Sequence, residues 1–245
     1  MSTDRQPSAA VGRVRTVRLG RVHLGTPRQR RSGSILDCLV LAPGPEEWAA
    51  VDLASGAFVR ARPPGPDGEP PLGRGWQALD VARIEITSDG EPLDPARPEA
   101  IACGDSPIRL GRARRGAARR LLRRLASPER PGATLLASHG PSIPYVDLDG
   151  TTPSLMLIAV APRSLEACSR GSDDAVLAFS WSGGTHQLPV AEDRLRRAVL
   201  AAAPRPLSGS RLAGVLGGKP SLVLVGLGAV RGGHTPKQVL AVLGL

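Results

Sequence analysis

Short segments in which apolar residues alternate with polar ones, or run together, cover most of the chain and predict β-strands. The clearest are two pairs of segments, residues 48–53 with 57–61 and residues 175–181 with 185–190. Each pair flanks a short turn that contains Gly, which is typical of a β-hairpin. A further apolar run at residues 153–161 predicts a buried strand. Because neighbouring strands are joined by hairpins, we expect small antiparallel barrels rather than a parallel α/β sheet.

Two other segments have the three- and four-residue spacing of apolar positions that is typical of an amphipathic helix. Residues 110–125 predict the first helix, and residues 192–203 predict the second, which Pro204 ends. The fold class that follows is mainly β with one or two helices. The first helix would place four arginines on the face opposite its apolar stripe, namely Arg112, Arg115, Arg119 and Arg123.

The chain has 245 residues, of which 41% are hydrophobic and only 2% aromatic, so its core must consist mainly of Val, Leu, Ile and Ala. Its longest apolar stretches are shorter than the roughly 20 residues of a membrane-spanning helix, and we expect no membrane partner. The three cysteines are far apart in the sequence, and no apolar segment of a signal peptide follows the arginine-rich N-terminal stretch. These features favour a cytoplasmic protein without a disulfide framework.

The net charge of +10 comes from two arginine-rich windows rather than from the chain as a whole. Residues 11–31 hold seven arginines and residues 109–124 hold eight, and neither window contains an acidic residue. The rest of the chain has 17 basic residues against 22 acidic ones, which makes it mildly acidic. Clustered charge of one sign produces a local field that attracts molecules of the opposite charge, so both windows are candidate binding sites for a polyanion.

Two interpretations of each window remain open. The arginines of the second window either bind nucleic acid or another polyanion, or they form a solvated helix face whose side-chain stems cover apolar surface. Eight like charges repel one another, which favours the first interpretation. The first window interleaves Arg13, Arg15, Arg18 and Arg21 with apolar residues. It is either a strand or arm that contacts the same partner, or an untethered tail.

Motifs that would indicate an enzyme or a bound cofactor are weak or missing in the sequence. Residues 213–220 lack the first Gly and the hydroxyl residue of a P-loop, and the four histidines have no metal-binding spacing. We therefore predict no catalytic residue, no cofactor and no metal. The catalytic alternative is a magnesium-dependent nuclease using Asp147 and Asp149, which would share a face if they lay on a strand. An Asp-Gly turn at Asp149 is the competing interpretation.

The six aromatic residues are candidates for stacking on nucleic-acid bases, although a chain so poor in aromatics also needs them in its core. Phe179 and Trp181 share one face of a predicted strand, and Phe58 lies in the first hairpin. We predict that Phe58 and Trp181 stack on bases. The arginines would carry most of the binding through phosphate contacts, which position a nucleic acid without reading its sequence.

The first hairpin carries a resemblance to a known family. Residues 48–63 read W-A-A-V-D-L-A-S-G-A-F-V-R-A-R-P. They resemble a hairpin of the bacterial dual OB-containing domain family, with Phe58 at its aromatic position and Arg60 at its arginine position. Residues 175–190 are similar to the core hairpin of that family's second barrel, whereas the family's opening Asn-Ser-Arg/Lys segment is replaced by A-P-G-P-E-E at residues 42–47. The resemblance implies two OB-like antiparallel β-barrels, nucleic-acid binding and an origin near bacterial defence or conflict genes.

The pattern, the charge and the resemblance together predict three regions of the chain. These are a basic arm at residues 1–34, a first OB-like barrel with the arginine-rich helix at residues 35–131, and a second OB-like barrel at residues 132–245. We expect a non-catalytic protein that binds DNA or RNA, and the alternative of a subunit that binds an acidic protein stays open. The predicted contact residues are Arg13, Arg15, Arg18, Phe58, Arg60, Arg112, Arg115, Arg119, Arg123 and Trp181.

Overall fold

The structure, a computed structural model, is mainly β, as the sequence predicts. It describes residues 15–20, 31–44, 47–62, 75–87, 94–104 and 107–245. These residues form fifteen strands in three sheets, three α-helices and two single-turn 3-10 helices.

The first sheet is built from the N-terminal half and has seven strands. They are β1 (Thr16–Val17), β2 (Ile35–Pro43), β3 (Trp48–Asp52), β4 (Phe58–Arg62), β5 (Asp80–Glu85), β6 (Ala100–Ala102) and β7 (Ile108–Ala113). Their order in the sheet is β1-β7-β5-β2-β3-β4-β6. An isolated bridge between Ile86 and Cys103 connects the ends of β5 and β6. The sheet therefore curls into a half-barrel.

The C-terminal half forms two four-stranded sheets. The central sheet contains β8 (Ser142–Pro144), β9 (Leu155–Ala159), β14 (Pro220–Leu227) and β15 (His234–Gly244), in the order β8-β15-β14-β9. The outer sheet contains β10 (Glu166–Arg170), β11 (Asp174–Trp181), β12 (Gly184–Pro189) and β13 (Leu207–Ser208), in the order β12-β11-β10-β13. The helices of the structure are α1 (Arg115–Leu125), α2 (Asp193–Ala202) and α3 (Gly209–Leu216).

The central sheet is buried on both faces along β9 and β14, whose apolar residues stand at consecutive rather than alternate positions. On β14, Leu222 and Leu224 pack with the first sheet and α1, whereas Val223 and Val225 pack with the outer sheet, α2 and α3. The core between the first and central sheets thus draws on both halves of the chain, and we call it the shared core. Its largest members are Leu39, Leu41, Val51, Leu79, Val81, Leu121, Leu122, Leu155, Leu157, Leu222, Leu224 and Leu243.

The sequence predictions for individual elements are confirmed where they rest on local turns. The predicted hairpins are β3–β4 and β11–β12, and α2 is the helix predicted at residues 192–203. The structure has three α-helices rather than one or two, because α3 also forms. This helix has only eight residues and carries Gly at its first and sixth positions, so it lacks an obvious helical pattern.

The arginine-rich helix begins at Arg115, later than its apolar spacing predicts. Residues 108–113 form β7 instead, which pairs with β5 and β1. Gly111 favours the strand, because its φ of +142° is not helical and a Cβ there would clash with the carbonyl oxygen of Arg15. The backbone of β1 occupies the space that a side chain at this position would need.

The fold has one curled half-barrel and a core that both halves of the chain share. The two OB-like barrels therefore stay a prediction, and so does the division of the chain at residues 34 and 131. Within the described part of the chain, no helix has both the length and the apolar character needed to cross a membrane.

Candidate nucleic-acid interface

The helix α1 has one face in the shared core and one basic face in solvent. Ala118, Leu121 and Leu122 are buried on the first face. No side chain caps the N-terminus of α1, and its first turn contains no acidic residue. Arg114 and Arg115 therefore place positive charge at the positive end of the helix dipole, where a bound anion would be favourable.

The basic face of α1 is exposed and largely unpaired. Among the described residues, Arg114, Arg119, Arg120, Arg123 and Arg124 make no side-chain hydrogen bond and no ion pair. Their guanidinium groups keep all their hydrogen-bond donors available for a ligand. Arg115 differs, because its Nη1 donates to the carbonyl oxygen of Gly217 at 2.6 Å.

The described residues 15–20 of the first arginine-rich window lie beside the second window through backbone pairing with β7. The short strand β1 lies parallel to β7, with Thr16 opposite Arg112 and Val17 opposite Ala113. Arg15 and Arg18 flank this pairing and are exposed, and the carbonyl oxygen of Arg15 accepts a hydrogen bond from the backbone N–H of Arg112 at 2.9 Å. The described parts of the two windows therefore lie side by side, and we call their exposed arginines the arginine surface. It consists of Arg15, Arg18, Arg114, Arg115, Arg119, Arg120, Arg123 and Arg124.

Arg112 was expected on the basic helix face but lies on β7. Its Nη1 donates to Oε1 of Gln77 at 2.7 Å, and its Nη2 donates to the carbonyl oxygen of Ala78 at 3.0 Å. Arg109 forms an ion pair with the buried Asp80. Both arginines of β7 thus donate to acceptors within the protein. Arg13, a further predicted contact, lies outside the described residues.

Arg60 is fully buried, which corrects its prediction as a nucleic-acid contact. Its guanidinium donates to Oγ of Ser154 at 2.8 Å, to the carbonyl oxygens of Ser154 and Leu227 at 2.9 Å each, and to the carboxylate of Glu47. A phosphate could reach this group only if the half-barrel separated from the central sheet. Arg60 therefore joins the two halves of the protein rather than contacting a ligand.

Two further residues complete the network around Arg60. Arg97 donates to Glu47 at 2.9 Å, and the Glu99 carboxylate accepts hydrogen bonds from the backbone N–H and the hydroxyl of Ser154 at 2.8 and 2.6 Å. Burial lowers the pKa of Arg60, while the carboxylate of Glu47 opposes that shift. The multiple acceptors compensate for the desolvation of a buried cation.

Trp181 is 1% exposed and belongs to the core between the central and outer sheets, so it cannot stack on a base in this fold. This corrects its prediction as a stacking residue. The physical reason is that β11 is an inner strand of the outer sheet, whose inward side chains alternate with exposed ones. Phe58 is half-buried and packs against the shared core.

Asp147 and Asp149 do not lie on a strand, so the premise of a shared carboxylate face is wrong. Asp147 ends a 3-10 turn, and Oδ1 of Asp149 accepts hydrogen bonds from the backbone N–H and the hydroxyl of Thr151 at 2.9 and 2.7 Å. These hydrogen bonds lower the pKa of Asp149. In the described residues, no three His, Cys, Asp or Glu side chains are grouped to hold a metal ion.

Sequence reasoning missed the residues that fix Arg60, because they are distant in the chain. Glu47 precedes Arg60 by 13 positions, and Ser154 follows it by 94. No local pattern links these positions. Comparison with protein-family models, curated proteins and solved structures finds no match to this chain. The resemblance to the dual OB-containing domain family therefore stays a prediction.

Proposed function

We propose that the protein binds DNA or RNA through the arginine surface, mainly by contacts to phosphates and without a catalytic step. The observation that carries the proposal is the row of exposed arginines on α1 and at its N-cap. Arg119, Arg120, Arg123 and Arg124 on the helix, and Arg114 just before it, have no protein acceptor within the described structure. The parallel pairing of β1 adds Arg15 and Arg18 to the same region.

The chemistry of this surface favours a polymer of anions over an ordinary solvated face. A solvated helix face usually mixes both signs of charge, and i to i+4 pairs of opposite charge stabilise it. In α1, the pairs Arg115–Arg119, Arg119–Arg123 and Arg120–Arg124 all have like charge. Bound phosphates would relieve this repulsion, and each contact would release counterions from the nucleic acid.

Such contacts recognise the backbone rather than the bases, so we expect weak sequence preference. The test is fluorescence anisotropy with labelled single- and double-stranded DNA and RNA, between about 50 and 300 mM salt. The proposal predicts tight binding at low salt, a steep linear fall of log affinity with log salt, and similar affinities for unrelated sequences. Absence of binding at the lowest salt would overturn it and would favour an acidic protein partner.

A further inference from the structure

A cavity lies beside the arginine surface. It has a volume of about 280 Å³ and opens between the first sheet and the central sheet, next to the first turns of α1 and α2. Its floor is apolar and continuous with the shared core, with Leu41 and Leu79 from one sheet and Leu243 from the other. This volume lies just below the roughly 300–1,000 Å³ found for small-molecule sites.

The walls of the cavity are rich in arginine. Arg112 and Arg115 line one side, and Arg194 and Arg197 from α2 line the other. The protein fixes the position of three of them without using all their donors. Arg112 is held by Gln77 and Ala78, Arg115 by Gly217, and Arg197 donates its Nε to the carbonyl oxygen of Asp193 at 3.3 Å. Guanidinium groups held in this way are pre-organised for an anion with several acceptor oxygens.

An aromatic ring stands at the same cavity. Trp76 lines the wall and is half-buried, in contrast to the fully buried Trp48 and Trp181. Its ring centroid lies 4.4 Å from that of Trp48, and the guanidinium carbon of Arg109 lies 5.5 Å from it. These contacts hold the ring in place, so that it can offer a rigid apolar surface to a flat ligand.

Acidic groups in the cavity do not cancel the positive charge. Glu192 and Asp193 line it together with the four arginines, so the net formal charge of the lining is positive. Oε2 of Glu192 accepts a hydrogen bond from the backbone N–H of Val242 at 3.2 Å, and burial raises the pKa of its carboxyl group. An anionic ligand is therefore favoured over a cation, and Glu192 offers a polar contact for a ring substituent.

We propose that this cavity binds one nucleotide unit, with the base against Trp76 and the apolar floor and the phosphate on the arginines. A free nucleotide and the terminal nucleotide of a strand offer the same chemistry. In its strand-end form the proposal rests on the proposed function, because the cavity shares Arg115 with the arginine surface. The cavity has room for a single small molecule, so the remaining nucleotides of a longer strand would have to lie outside it.

The probe for the free form is adenosine 5′-monophosphate, titrated into the full chain by calorimetry at low salt. Adenosine and inorganic phosphate serve as partial ligands, each of which should bind at least about tenfold more weakly.

Two variants of the cavity, Trp76→Leu and the pair Arg194→Gln with Arg197→Gln, should each weaken nucleotide binding about tenfold or more. The pair Arg163→Gln with Arg170→Gln removes equal charge outside both the cavity and the arginine surface and should leave nucleotide affinity nearly unchanged. Arg194 and Arg197 are exposed, so their variant should fold even if Trp76→Leu does not.

The strand-end form is tested with oligonucleotides of one sequence that carry either a 5′-phosphate or a 5′-hydroxyl group. Tighter binding of the phosphorylated strand, lost with Arg194→Gln and Arg197→Gln, would support this source of the ligand. If the cavity variants change neither the affinity for the nucleotide nor the affinity for the phosphorylated strand, the proposal is overturned. Strand binding that persists in that case leaves the proposed function standing. Nucleotide binding without strand binding would instead support the cavity and contradict the arginine surface.

Discussion

Arginine has opposite roles in two regions of this protein. Arg60 is fully buried between the half-barrel and the central sheet, where a carboxylate, a hydroxyl and two carbonyl groups accept from its guanidinium. Arg119 and Arg123 on α1 are exposed and have no acceptor among the described residues. The residue type is the same, so the surrounding acceptors decide its role. An arginine whose donors are satisfied stabilises the fold, whereas an unpaired one is available to a partner.

The largest expected effect on stability comes from replacing the buried Arg60. Arg60→Met should lower the free energy of unfolding by about 3 kcal/mol or more, because it leaves two buried carbonyl groups without their donor and Glu47 with Arg97 alone. Chemical denaturation measures the change. Arg83→Met is the matched control, since Arg83 forms an exposed ion pair with Asp37 and should matter little. Equal effects of the two substitutions would show that Arg60 does not join the halves.

Lys237 sharpens the comparison, because it is a second buried cation with fewer acceptors. Its Nζ donates to the carbonyl oxygen of Ser138, and burial lowers the pKa of its ammonium group to about 8 from the ordinary value of 10.5. The folded protein thus loses this proton at a lower pH than the unfolded chain does. The contribution of Lys237 to stability should therefore become more favourable as the pH rises from about 8 towards 10.5.

The measurement is the free energy of unfolding of the native protein and of Lys237→Met across this pH range. The variant removes the titration, and the stability of the native protein relative to it should rise with pH. The difference between the two proteins is used because Cys103 also titrates. Burial raises the pKa of Cys103 to about 11, which lowers the stability of both proteins over an overlapping pH range. A difference that does not change with pH would contradict the buried-cation account.

The smallest stability effect is expected on the exposed side. Arg119→Gln with Arg123→Gln removes two unpaired like charges four positions apart, so thermal stability should stay the same or rise slightly. Differential scanning calorimetry measures it at low salt, where repulsion is strongest. A loss of stability comparable to that of Arg60→Met would mean that these arginines support the fold instead of a partner.

The same comparison explains what the sequence could and could not predict. The hairpin β11–β12 follows from alternating residues around a local Gly turn, and the basic face of α1 follows from its spacing. The burial of Arg60 depends on Ser154, which is distant in the chain, so no local pattern indicates it. Likewise, the apolar spacing of α1 continues into β7, and the pairing with β5 and β1 makes residues 108–113 a strand.

The central claim is that the unpaired arginines of α1 contact phosphates. Its most direct test is the salt dependence of strand binding for two variants that remove equal charge. One replaces Arg119, Arg120, Arg123 and Arg124 by Gln, and the other replaces the exposed Arg163, Arg170, Arg205 and Arg231. The account predicts that the first variant lowers the slope of log affinity against log salt by about three units, at about 0.7–0.9 per lost contact, while the second leaves it near the native value. Equal slopes for the two variants would contradict the claim.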